Sequence, residues 1–195
     1  MKKFLVLICI LMASLLCTAC INNLAIQELN QMGKNYLDKG DYNNAISRFQ
    51  SSVDLDENVF ESRYNLGVAY IKKEDYKNAI EQLKSAIKIN PISPDAHYSL
   101  AVALESYGLQ FEEDPLDEKE DKKEFTKEEI NELLENVEEA IKMYEKYIEL
   151  APDAKDTEAV KAHIEELNKT VEENKSGKQE WFYTRLNLII LVFSG

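Results

Sequence analysis

Two stretches of this chain, 34 residues apart, carry matching residues in the same order. Met32-Gly33-x2-Tyr36, Gly40-Asp41-Tyr42, Ala45-Ile46 and Phe49 recur as Leu66-Gly67-x2-Tyr70, Glu74-Asp75-Tyr76, Ala79-Ile80 and Leu83. A period of this size means that each unit is one supersecondary motif that cannot bury its apolar face alone, so that neighbours stack into a continuous core. The spacing has a physical reading. Small residues, Gly33 with Ala45 and Gly67 with Ala79, stand where two helices of a hairpin cross closely, and Tyr36, Phe49, Tyr70 and Leu83 fill the space around the crossing. Asp41 and Asp75 stand where the second helix begins and can accept its free N–H groups. Pro91 falls just past a helix end, where it cannot extend the helix.

The fuller pattern, Arg63-x2-Leu66-Gly67-x2-Tyr70, then Ala79-x3-Leu83, then Pro91, resembles the tetratricopeptide repeat, a helix–turn–helix unit of 34 residues. Trp is commoner in that family where Arg63 stands. The resemblance implies an all-α solenoid built from three units, 26–59, 60–93 and 94–152, with a short tether at 20–25 and a capping helix at 156–174. The third unit opens at Pro94-Asp95-Ala96 and places Leu100-Ala101-x2-Leu104 on the Leu-Gly-x2-Tyr positions, then the pattern breaks at Gly108. The alanine expected at position 113 appears as Ala140, with Tyr144, Tyr147 and Pro152 after it at the proper intervals, an insertion of 27 residues. Its first part, 110–125, is crowded with Glu, Asp and Lys and reads as a solvated acidic loop, with a contact for a basic partner and a divalent-cation site as the other readings. Thr126-x-x-Glu129 is a capping box. Ile130, Leu134, Val137, Ile141, Tyr144 and Ile148 then run four and three apart, predicting one helix about two turns longer than the family's at its start. Asp156 precedes a last helix with Val160, Ile164, Leu167 and Val171 on one face and charge on the other.

The N-terminus reads as a secretion leader: Lys2 and Lys3, then an apolar run over 4–16 too short for a stable span. Leu16-Cys17-Thr18-Ala19-Cys20 resembles a bacterial lipobox, which implies cleavage of 1–19, lipidation at Cys20 and a mature chain held on a membrane of the bacterial cell envelope, outside the cytoplasm; an ordinary cleaved signal and an uncleaved anchor are the alternatives. The departure from that pattern is Cys17, which stands where Leu is usual. With Cys20 acylated no free thiol is left, so disulfide chemistry is not expected.

The chain carries a net charge of −13; losing Lys2 and Lys3 leaves 21 basic against 36 acidic residues, a net of −15. Such a surface disfavours nucleic acid and anionic lipid and suits neutral or basic partners. Sequence motifs for chemistry do not appear: no glycine-rich phosphate loop, no Gly-x-Ser-x-Gly elbow, no Asp-x-Asp-x-Asp-Gly loop, and neither His97 nor His163 has zinc-type neighbours. The reading therefore assigns no catalytic residue, metal or cofactor.

In the tetratricopeptide family the first helix of each unit lines a concave face that binds protein segments. The resemblance places Asn30, Lys34, Tyr64, Asn65, Val68, Tyr98 and Val102 on that face, with Gly33, Ala45, Gly67, Ala79, Ala101 and Ala140 as structural repeat positions. One family subset clamps a peptide's C-terminal carboxylate with basic residues; Asn65 matches one of its asparagines, but Asp95 and Ser99 stand where that clamp is basic. The expected function is a non-catalytic, lipid-anchored scaffold for an envelope protein or peptide. Alternatives are an accessory lipoprotein of pilus or outer-membrane assembly, and an envelope enzyme.

The tail 181–195 departs from everything before it: Trp181-Phe182-Tyr183, then an apolar run over 186–193. Eight helical residues reach about 12 Å, well short of a hydrocarbon core of about 30 Å. Packing on the array's own groove or end, lying in a membrane surface, building oligomers, and a shifted or truncated reading frame all stay open.

Overall fold

The computed structural model describes residues 21–110 and 127–175, and among these every long element is an α-helix. The expected leader 1–19, Cys20, positions 111–125 of the acidic loop, Thr126 of the capping box and the tail 181–195 lie outside the described residues. Helix α1 covers residues 21–37, followed by α2 (Tyr42–Leu55), α3 (Phe60–Lys72), α4 (Tyr76–Ile89), α5 (Pro94–Gln110), α6 (Lys127–Leu150) and α7 (Thr157–Lys175). Consecutive helices pack on one another from α2 onward, the most extensive pairing being α5 with α6. None of the described helices is long and apolar enough to cross a membrane.

One aspartate both ends and begins a helix. The N–H of Asp41 reaches back to the carbonyl of Tyr36 at 2.9 Å while its carboxylate accepts the N–H of Asn44 at 3.3 Å. Asp75 repeats this with Tyr70 at 3.0 Å and Asn78 at 3.4 Å. The first bond closes the last turn of the preceding helix around a left-handed residue, and the second satisfies an orphan donor of the next. That left-handed position holds Gly40 (φ 72°) in the first unit and Glu74 (φ 65°) in the second.

The glycines act where the spacing places them. A methyl group at Gly33 would overlap the Phe49 ring, and one at Gly67 would stand 2.6 Å from Leu83 Cγ. Ala45, Phe49, Ala79 and Leu83 are wholly buried opposite them. Two core clusters result: Ala45, Phe49, Val53, Leu66 and Ala69 in the first, and a larger one running from Ala79 through α5 and α6 to Val171 in α7. Tyr70 packs against both.

Three expectations need correction. The tether expected at 20–25 is already helical from residue 21, since Ile21-Asn22-Asn23-Leu24-Ala25 contains neither Pro nor Gly to delay the helix. Gln110, placed at the start of the acidic loop, is the last residue of α5. The repeat pattern stops at Gly108 as expected, but the helix does not. Gly108 is buried inside α5, and a methyl there would overlap Leu133. Gly108 lies seven residues beyond Ala101, and Leu133 seven before Ala140, so the antiparallel pair α5–α6 extends the close crossing by a heptad in phase. The last correction concerns length. Ala140 is the fourteenth residue of α6 whereas Ala79 is the fourth of α4, so α6 starts ten residues early, nearly three turns rather than two.

Candidate functional site

The odd-numbered helices stand side by side along one face. Asn30 of α1 donates to Ser62 of α3 at 2.9 Å, and Lys34 of α1 pairs with Glu61 of α3 at 2.5 Å. Tyr64 of α3 packs against the larger core, to which α5 contributes Leu100 and Leu104. The seven candidate side chains belong to these three helices, and they differ in how open they are.

Asn30 is 3% exposed and joins a buried chain of hydroxyls: its Nδ2 donates to Ser62, Ser62 and Ser52 share a bond of 2.8 Å, and Ser52 reaches the Ile26 carbonyl at 3.5 Å. Asn30 Oδ1 and Asn65 Nδ2 are buried without a partner. Such atoms are costly when dry and mark places where water or a ligand group is gained at low cost. Lys34 is engaged with Glu61, a pair exposed enough to contribute little to stability. Tyr64 is half-buried and stacked on Phe60, centroids 5.8 Å apart and planes 12° from parallel. Val68 and Val102 are half-buried. Tyr98 is the most open of the set at 37% exposure.

Beneath Tyr98 lies a group that reasoning from sequence did not single out. Glu105 of α5, 5% exposed, accepts the Tyr144 hydroxyl of α6 at 2.9 Å and lies 2.9 Å from Nε2 of His163 on α7. The Tyr144 and His163 rings meet edge to face at 5.4 Å. Tyr98 packs by T-shaped contacts on Tyr144 (5.6 Å) and Tyr147 (5.2 Å), and the Tyr147 hydroxyl donates to Asp156 at 2.5 Å. Burial, then the Glu105 carboxylate, hold the Tyr144 hydroxyl well above the usual tyrosine range. The bond to Asp156, then burial, push Tyr147 up to about 12. Burial and the charges of Asp156 and Glu105 raise Tyr98. The available signal was Glu105 itself, a carboxylate directly after the apolar run Ala101-Val102-Ala103-Leu104.

Arg63, which replaces the family's usual Trp, ties a turn. Its Nε donates to the Glu57 carbonyl at 3.2 Å and Nη1 to Gln82 at 2.6 Å. An open cleft of about 490 Å³ beside it is lined by Asp54 at the end of α2 and by Asp56 and Glu57 of the α2–α3 turn. His97, whose Nε2 lies 3.0 Å from the Pro91 carbonyl, holds the α4–α5 turn. No cluster of His, Cys, Asp and Glu fit to hold a metal is present among the described residues.

Comparison with known proteins places this geometry. The family described as "TPR repeat" matches residues 33–74 and 69–108, and "Tetratricopeptide repeat" matches 129–154. No curated protein matches the chain at a significant level. Among solved structures, the first TPR domain of human RPAP3 is 20% identical, covering 76% of this chain and 95% of that one with a TM-score of 0.56. The first TPR of Spaghetti (RPAP3), bound to the HSP90 peptide SRMEEVD, is 19% identical over 76% of this chain and 94% of its own, also at 0.56. The Yersinia enterocolitica type III secretion chaperone SycD, in complex with a peptide of the translocator YopD, is 16% identical over 76% and 93%, at 0.53. An O-GlcNAc transferase mutant of Thermobaculum terrenum matches over 68% of this chain but only 20% of its own, at 18% identity and a TM-score of 0.51.

Proposed function

Because this chain belongs to the tetratricopeptide-repeat family, we propose that it is a non-catalytic scaffold that holds a partner protein or peptide against the face formed by α1, α3 and α5. The observation that carries this reading is the set Tyr64, Val68, Tyr98 and Val102, none of them buried, on neighbouring helices of one face. Aromatic and aliphatic side chains held rigid by packing are the usual anchors of an interface. The RPAP3 and SycD domains, which share the fold, are seen with peptides bound. The transferase match spans a fifth of that chain, so its activity is not carried over. In this reading the chain is lipid-anchored at Cys20 to a bacterial envelope membrane, and the partner is another envelope protein.

Two experiments test the two parts. Tyr64→Ala with Tyr98→Ala should weaken capture of the partner from solubilised membranes about a thousandfold, two hot spots of about 2 kcal/mol each, with helicity retained. Undiminished capture by the folded double variant moves the site elsewhere, and loss of helicity makes both tyrosines structural. Cys20→Ala should abolish incorporation of a fatty-acid probe, and undiminished label on that variant removes the anchor.

A further inference from the structure

The structure points to the chemistry of that partner: we propose that the α5–α7 end of the scaffold face is a receptor for a cationic side chain, so that the bound segment is a basic peptide presenting lysine or arginine. This rests on the scaffold reading and makes it more specific.

Tyr98 is the one aromatic among the large apolar side chains that stand exposed in the described residues. The residue is more than a third exposed, and its ring is held in place by Tyr144 and Tyr147. Carboxylates flank it. Asp95 lies three residues earlier on α5, one turn away, and Asp156 at the start of α7 is fixed by the Tyr147 hydroxyl; both are exposed, and neither has an ion-pair partner among the described residues. Glu105 adds a third negative charge from below. Their combined field is felt by the ring hydroxyls: Asp156 and Glu105 both raise Tyr98, and Asp156 and Asp95 both raise Tyr147.

A rigid aromatic ring beside fixed carboxylates suits a guanidinium or ammonium group, which the ring quadrupole attracts and the carboxylates pair. The same arrangement repels a peptide carboxylate. The chain's net charge of −13 draws a basic segment in and turns an acidic one away. The RPAP3 domains hold peptides ending in Glu-Glu-Val-Asp. In this chain Asp95 and Ser99 stand where the carboxylate-clamping subset of the family is basic, which disfavours an acidic peptide end here.

The test is selection of displayed random dodecapeptides on the full chain, followed by binding measurements of the selected peptides on three variants. Tyr98→Leu keeps bulk but removes the ring; Tyr98→Ala removes both; Asp95→Asn with Asp156→Asn removes charge while leaving the Tyr147 hydroxyl an acceptor. Lysine- and arginine-rich peptides should be enriched, should bind at least about tenfold more weakly to the Asn pair and to Tyr98→Leu, and should weaken steeply with added salt. Neutral or acidic peptides that still depend on Tyr98 would keep the scaffold and overturn the cation receptor. Basic peptides bound equally by the wild type and all folded variants would overturn its place. Failure to select any peptide would count against both readings. Competition by a peptide of residues 181–195 that depends on Tyr98 but not on the two aspartates would assign the surface to the chain's own tail and overturn the proposal.

Discussion

The buried side chains that bond to one another among α1, α2 and α3 are neutral, whereas those among α5, α6 and α7 include a charge. Asn30, Ser52 and Ser62 form a short chain of amide and hydroxyls; amide atoms of Asn30 and Asn65 are left over, as is Nε of Arg48, whose side chain is otherwise half-open. Glu105 at the other end is met by both Tyr144 and His163. The difference reflects what burial permits. A neutral group left partly unpaired costs about 1–3 kcal/mol and can be carried, but a buried carboxylate without partners costs more and must be enclosed on all sides. Helix α7 supplies one of those sides. Expected from the sequence as a cover for the array's end, it also completes the enclosure of a charge on α5, two helices earlier.

The sharpest test of this contrast removes one partner at each end. His163→Ala should destabilise the fold by about 3–5 kcal/mol in chemical denaturation, because the carboxylate stays behind. Asn30→Ala should cost only about 1 kcal/mol. Equal losses would erase the distinction, and replacement of Glu105, Tyr144 and His163 together by apolar residues of similar volume should recover much of the larger loss. A second measurement asks whether the two halves share their crossing geometry. Gly67→Leu and Gly108→Leu should each cost about 1–3 kcal/mol by overpacking against Leu83 and Leu133. A thermal melt unchanged by Gly108→Leu would mean that the extended pair does not close as the canonical-length units do. The smallest expected effect is alkaline. Tyr147 is raised from 10.0 to about 12 in the folded chain, so its contribution is complete below about pH 10 and is lost as pH rises through 12. The slope should amount to about 1 kcal/mol after solvent screening and should vanish in Tyr147→Phe. A persistent slope in that variant would place the alkaline weakness elsewhere.

Much of the first half was legible in the sequence because everything that shapes it is local or one period away. Asp41 and Asp75 act on residues three ahead and five behind, and Gly33 and Gly67 meet partners sixteen residues on. The second half hid its design for two reasons. The insertion displaces α6 relative to α5, so Gly108 and Leu133 carry no offset by which a repeat comparison can pair them. Glu105 and His163 are 58 residues apart with a helix between them, and nothing in either segment names the other. The candidate face was readable as positions but not as exposure: helical spacing puts Asn30 and Asn65 on it, yet both are buried by neighbours that packing alone determines.

Glu105 has a consequence for how the longest helix finds its place. An apolar stripe repeating every three or four residues, as in α6, is indifferent to alignment: slid by one heptad against α5, it still presents a greasy face. That slide brings Val137 or Ala151 to the position of Tyr144, and neither has a side chain that can donate to a carboxylate. The misaligned hairpin then carries a stranded buried charge, a handicap of several kcal/mol that no gain in apolar contact offsets. One acidic residue thereby acts as a keyway against a heptad slip of this 24-residue helix.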